Sequence, residues 1–144
     1  MGLPLVEVQT AMIALYRGDS TLQGLLGNPI NPPAGVYDSG AVQTGRAFPY
    51  VVVTIPTTQL GTLMTMALDG ADLYPHVSVF TQAGGFAQAR GIAEQIYKLT
   101  HRTMLSLANG FSNVLTLFDN GQEMISGEES VQQITHRYKL MTQG

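Results

Sequence analysis

The stretch Val131-Gln132-Gln133-Ile134-Thr135-His136-Arg137-Tyr138-Lys139-Leu140-Met141 alternates with a period of two. Ile134, His136, Tyr138 and Leu140 fall on one side, and Gln133, Thr135, Arg137 and Lys139 on the other. Successive side chains of a strand point to opposite faces, so the pattern predicts a strand with one apolar and one polar face. A single solvated face suits an antiparallel sheet, because parallel sheets are covered on both sides.

The nearest partner for the apolar face lies upstream. Phe86, Ala89, Ile92, Ala93, Ile96 and Leu99 recur with a period of 3.6 and predict a helix from Phe86 to Leu99. Arg90 and Glu94, and Glu94 and Lys98, are spaced four apart on its polar side. Matching the two apolar faces predicts that Ile134, Tyr138 and Leu140 are buried against this helix. Gly84 and Gly85 read as a strand-to-helix corner ahead of it.

Further strands are expected on either side. Pro49-Tyr50-Val51-Val52-Val53-Thr54-Ile55 is β-branched and apolar on both faces, which predicts a central strand ended by Pro56. Leu73 to Thr81 alternates and is expected to be the next strand. Phe111 to Phe118 is expected to be another, with Asp119-Asn120-Gly121 as its turn. Residues 28–46 are dense in Pro and Gly and read as a long surface loop, in which Val36, Tyr37 and Asp38 suit a brief strand. At the N-terminus Leu5, Val8, Met12 and Leu15 have helical spacing, with Gly18 as a stop. Ser20 to Gln23 has capping-box spacing ahead of a short helix carrying Leu22, Leu25 and Leu26 and closed by Gly27. The expectation is one α+β domain over residues 1–144: a mostly antiparallel sheet of about four strands with helices packed on one face.

The segment Thr57 to Ala71 joins two good strands and carries Leu60, Leu63, Met64, Met66 and Leu68 among Thr and Gly. It is too long for a tight hairpin and too apolar for a solvated linker. Methionine adapts to irregular contact surfaces. These five residues are therefore expected to form a subunit or partner interface, with Arg137 and Lys139 from the polar face of the last strand. The alternative is an extended hairpin folded back on its own sheet.

Composition points the same way. Charged residues make up 12% of the 144-residue chain, against about 25% in ordinary soluble domains. Thr and Gln together number 25, more than the 17 charged residues. Amides and hydroxyls cost less to desolvate than charges, so such a surface is readily covered by partners. The formal charge of −3, with no basic cluster, argues against recognition of nucleic acid. No apolar run reaches the ~18 residues of a membrane helix, and the first residues lack a signal-peptide pattern. A soluble cytoplasmic product is expected.

Chemistry is scarce. There is no cysteine, and His76, His101 and His136 have no metal-ligand spacing among themselves. Glu128-Glu129 reads as a solvated turn. No Walker, Gly-x-Gly-x-x-Gly or Gly-x-Ser-x-Gly pattern occurs. No catalytic residue, metal, nucleotide or other cofactor is expected.

Val36-Tyr37-Asp38 followed by Phe48-Pro49-Tyr50-Val51-Val52-Val53 resembles the opening of the tail-completion (tail-terminator) family of long-tailed bacteriophages. The resemblance continues through Val77-Ser78-Val79-Phe80, the Ala- and Ile-rich helix Ala87 to Leu99, and the closing strand Gln133 to Leu140. It implies a tail-terminator-like α+β subunit without enzymatic activity. It also implies a homo-oligomer, a hexameric ring that caps the tail tube protein, stops tail growth and meets a head-closure or neck protein. Its place would be the head–tail junction of the virion. Another neck or tail ring subunit, or less favourably a small hydrolase or ligand-binding domain, are the competing readings.

Overall fold

The computed structural model describes residues 4–26, 35–38, 48–60, 70–82, 86–126 and 131–143. Three helices and five strands follow in the order α1 (Leu5–Arg17), α2 (Ser20–Leu26), β1 (Val36–Asp38), β2 (Tyr50–Leu60), β3 (Gly70–Gln82), α3 (Phe86–Thr100), β4 (Ser112–Ser126) and β5 (Val131–Gln143). The strands form one sheet in the order β1-β2-β3-β5-β4. It is mixed rather than purely antiparallel, because β1 pairs with β2 in parallel, Val36 opposite Val51. It is also larger than the expected four strands.

The α1 stripe differs slightly from the predicted one. Val8, Met12 and Tyr16 are buried, while Leu5 is exposed. The helix therefore faces the sheet through positions four apart. At its end, Asp19 and not Ser20 caps α2: the Leu22 amide donates to Asp19 Oδ2 at 2.8 Å. Leu22 and Leu26 are buried and Leu25 is exposed. Gly35, just before β1, holds φ +75 beside the Leu26 side chain while its carbonyl accepts the Val51 amide, so a left-handed residue is required there.

The core lies between the sheet and the helices. Val51 and Val53, then Leu73, Val77 and Val79, then Ile134, Tyr138 and Leu140 form one cluster with Ala89, Ile92, Ala93 and Ile96 of α3 and with Val8 and Met12 of α1. The predicted burial of Ile134, Tyr138 and Leu140 is observed. Inside the cluster the Thr100 hydroxyl donates to the Ile96 carbonyl, so Tyr16 donates its own hydroxyl to Thr100 Oγ1 at 2.6 Å. Burial pushes the Tyr16 phenol up and keeps it a donor.

Two strand boundaries depart from expectation, for one reason each. Strand β2 does not end at Pro56 but runs on to Leu60, opposite Ala71. Its register slips between Thr54 and Thr57, and this irregularity faces Pro75, around which the β3–β5 pairing also lapses. Both prolines thus sit where no ladder N–H is needed. Of the expected loop Thr57 to Ala71, the described residues at both ends, Thr57 to Leu60 and Gly70 to Ala71, are strand. Strand β4 does not turn at Asp119-Asn120-Gly121 but continues to Ser126, with Asp119 as the extra residue of a bulge between Phe118 and Asn120. A strand of thirteen residues, β5, supplies an edge that the whole of β4 can pair with. Glu128-Glu129, the expected turn, lies outside the described residues.

Gly91 lies in the interior of α3, exposed, with open space where a Cβ would go. It is tolerated rather than demanded by packing. Gly91→Ala is therefore expected to stabilise the subunit by about 0.5–1 kcal/mol, read as a higher denaturation midpoint at unchanged slope.

Candidate assembly surfaces

All three helices lie on one side of the sheet, so among the described residues no helix covers the other side, which presents hydroxyls, amides and a few rings. Val52 and Thr54 of β2, His76 and Ser78 of β3, Thr135, Arg137 and Lys139 of β5 are half-buried along it. A depression of about 370 Å3 opens among Thr54, His76, Ser78, Gln122, Thr135 and Arg137. Ser78 and Thr135 share a hydroxyl hydrogen bond of 3.0 Å, and Gln133 donates to the same Thr135 oxygen. At one end Phe48, Tyr50 and Phe80 stack in sequence, 5.3 and 5.0 Å between ring centres. The lining holds neither a carboxylate pair nor a hydroxyl paired with a histidine. Among the described residues no three His, Asp or Glu converge as metal ligands.

Arg137 and Lys139, read from sequence as interface residues, both lie on this uncovered face with partners of their own. Arg137 Nε is 3.1 Å from Asp119 Oδ2 but off the hydrogen-bond direction, and the guanidinium lies 4.4 Å from the centre of the Tyr74 ring. The bulge is what brings Asp119 to Arg137. Lys139 Nζ is 3.8 Å from Asp72 Oδ2, a carboxylate with 6% of its side chain exposed. Leu60 ends β2, and Leu63, Met64, Met66 and Leu68 lie outside the described residues.

On the helix side, His136 sits at the foot of a fissure of about 360 Å3 between α3 and the outer half of β4. Its Nδ1 is 3.1 Å from the Tyr138 hydroxyl, and its ring meets Phe118 edge-on. Gly121 lies over it: a Cβ there would come within 3.1 Å of His136 Cδ2. Burial lowers the His136 pKa, with Glu94 opposing, and burial together with Arg137 lowers that of His76. A histidine depressed in the folded state binds fewer protons there than when unfolded. Its contribution is complete above the unfolded value of about 6.5 and is lost as pH falls from there through the folded value. Thermal midpoints should therefore drop on acidification from pH 7 to pH 5, and His136→Gln should flatten that slope. A variant with the parent's slope would remove His136 as its source.

The two edges of the sheet are treated differently. At the β1 edge Arg17 caps one carbonyl: its Nε and Nη2 both donate to Val36 O, at 3.2 and 2.8 Å. The first half of β4 is closed by the turn after α3: the Arg102 amide donates to the Thr116 carbonyl, and the Phe118 amide donates to His101 Nδ1 at 2.9 Å. Thr116 and Phe118 thus turn their backbone groups outward. Beyond the bulge the parity shifts by one, and Gly121, Glu123 and Ile125 turn outward instead. No backbone partner meets them among the described residues. Residues 121–125 are all exposed, with Ile125 at 66% and Met124 at 45%. Reading Asp119-Asn120-Gly121 as a turn hid this edge. The signal that could have found it is the length of β5, which an eight-residue partner leaves half unpaired.

Comparison with known proteins accords with this arrangement. The family model for tail completion protein gp17 matches residues 10–143. A chain of a solved structure titled as the virion of a native gene transfer agent particle superposes with a TM-score of 0.82 at 23% identity, covering 100% of both chains. A second solved chain superposes with a TM-score of 0.59 at 18% identity over 96% of each. No curated protein sequence matches. The α+β fold is thus shared with both solved chains, and the match over nearly the whole length places this chain in the tail completion protein gp17 family, as a structural protein of a phage tail.

Proposed function

We propose that this chain closes with copies of itself into a hexameric ring on the end of the tail tube, where it stops tube growth and joins the tail to the head through a neck protein. Membership of the tail completion family carries this reading. The helices gathered on one side of the sheet and the low charge support it, because a subunit covered by neighbours desolvates amides and hydroxyls more cheaply than charges. The action is mechanical: a surface that binds the last tube ring and does not present another tube surface ends polymerisation. In the virion the subunit would sit at the head–tail junction, and before that in the host cytoplasm.

The test couples light scattering with negative-stain imaging, on the chain alone and with preformed tail tubes. The expected results are a particle of six times the 15.5 kDa chain, rings on tube ends, and tubes that no longer lengthen when fresh tube protein is added. A chain that stays monomeric alone and on tubes would sink the ring. Tubes that keep growing with rings bound would sink the terminating role.

A further inference from the structure

We propose that Asn109 is a site of spontaneous deamidation, where the Gly110 nitrogen closes on the Asn109 amide and the product severs a tie between the segment after α3 and helix α1. Water is the only co-reactant.

Five asparagines stand in the chain. The reaction uses the backbone N–H of the following residue as its nucleophile. Asn28 and Asn31 precede prolines, which have no N–H. Asn113 precedes a β-branched residue, and its own side chain is buried and held by hydrogen bonds to Leu105, Thr116 and Met141. Asn109-Gly110 and Asn120-Gly121 remain, each with an unhindered glycine nitrogen.

The fold separates these two. Asn120 and Gly121 lie in the β4–β5 ladder, opposite Arg137 and His136. The main chain between them must rotate to bring the Gly121 nitrogen to the Asn120 amide carbon. Gly121 lies on the His136 ring, so close that a Cβ would come within 3.1 Å of Cδ2, and rotation there also breaks the ladder. Asn109 and Gly110 instead form a turn, both exposed, with φ of +60 and +81. Positive φ at both central residues is the type I′ pattern, which Asn-Gly suits well. The backbone hydrogen bond that closes this turn runs from the Phe111 amide to the Ala108 carbonyl and is long, 3.3 Å. Rotation costs that bond and an exposed side-chain contact, so the backbone opens locally here at small cost.

The step balances with water. Hydroxide takes the Gly110 amide proton and the nitrogen attacks Asn109 Cγ. A five-membered imide forms as the Cγ–Nδ2 bond breaks and Nδ2 departs as ammonia. Water then opens the ring at either carbonyl. One opening gives aspartate and the other its β-linked isomer, whose main chain is longer by a methylene.

The product changes a contact. Asn109 Nδ2 donates to Glu7 Oε1 at 3.1 Å, which joins this turn to the first turn of α1. A carboxylate in place of the amide cannot donate, and it meets the Glu7 carboxylate as a like charge. A subunit of a phage tail is not renewed once the particle is built, so such chemistry accumulates in it with age.

The test incubates the purified chain at mildly alkaline pH for days, folded and in denaturant, and follows both Asn-Gly peptides by mass spectrometry. The denatured chain supplies the rates without structure. In the folded chain, conversion at Asn109 is expected to exceed that at Asn120 at least tenfold, with aspartate and its isomer both present. Equal rates in the folded chain, or an Asn109 that converts only in denaturant, would overturn the assignment. The severed tie is read from variants. Aspartate tolerates the left-handed backbone much as asparagine does, so Asn109→Asp isolates the change of charge. It is expected to lower the thermal midpoint by about 1–3 °C at neutral pH. Glu7→Gln added to it should restore the midpoint, because the new amide donates in the reverse direction. A midpoint equal to the parent's for Asn109→Asp, or a loss that Glu7→Gln does not recover, would show that no tie is severed.

Discussion

Leu140→Ala is expected to lower the stability of the subunit by about 2–5 kcal/mol, the range for removing a large aliphatic side chain from a core that relaxes only in part. Leu140 is fully buried. It lies opposite Leu73 on one neighbouring strand and Thr116 on the other, under the helices that cover the sheet. For a domain of this size each kcal/mol moves the midpoint by about 3–4 °C, so a drop of roughly 6–20 °C is expected. Lys139→Ala, one residue away on the uncovered face, is the contrast. Its ion pair is partly solvated and such pairs contribute little, so its midpoint should stay near the parent's. Equal melting of Leu140→Ala and the parent would reverse the assignment of the two faces.

Asn113→Ala is the second large effect, through hydrogen bonds and not volume. Asn113 is buried at the irregularity near the start of β4. Its Oδ1 accepts from the Leu105 amide at 2.7 Å and the Thr116 hydroxyl at 3.1 Å, and its Nδ2 donates to the Met141 carbonyl at 3.0 Å. One side chain thus ties the segment after α3 to the two last strands. Removing it strands a buried amide, and each buried group without a partner costs about 1–3 kcal/mol. A loss of about 2–4 kcal/mol is expected. Hydrogen exchange should also quicken at Leu105 before it quickens in β3, because the anchored segment opens locally. Unchanged protection at Leu105 would show that the segment is held by its apolar packing alone.

Much of this architecture is legible in the chain because its signals are periodic. The alternation from Val131 to Met141, the stripe from Phe86 to Leu99 and the β-branched run at Tyr50 to Ile55 each describe a face, and faces must be buried against one another. The turn chemistry was less reliable. Pro56 and Asp119-Asn120-Gly121 are breakers by local propensity, yet both lie inside long strands. In each case a bulge absorbs the residue that does not fit, and the neighbouring ladder supplies the stability that local preference lacks. Arg137 and Lys139 do lie on the uncovered face, since the strand period decides the side on which a residue stands.

Sequence alone determined the class of the fold, the buried face of β5 and its covering helix, and the family to which the chain belongs. These follow from local periodicity and the order of motifs, which need no knowledge of distant contacts. Tertiary structure alone decided that β1 runs parallel to β2, that β4 continues past its bulge, and that Arg17, His101 and Arg102 meet backbone groups at the sheet's edges. Each such contact is an encounter between groups far apart in the chain, such as Arg17 and Val36 or His101 and Phe118. No local pattern records such encounters, because a backbone carbonyl accepts equally well from any donor that folding brings within reach.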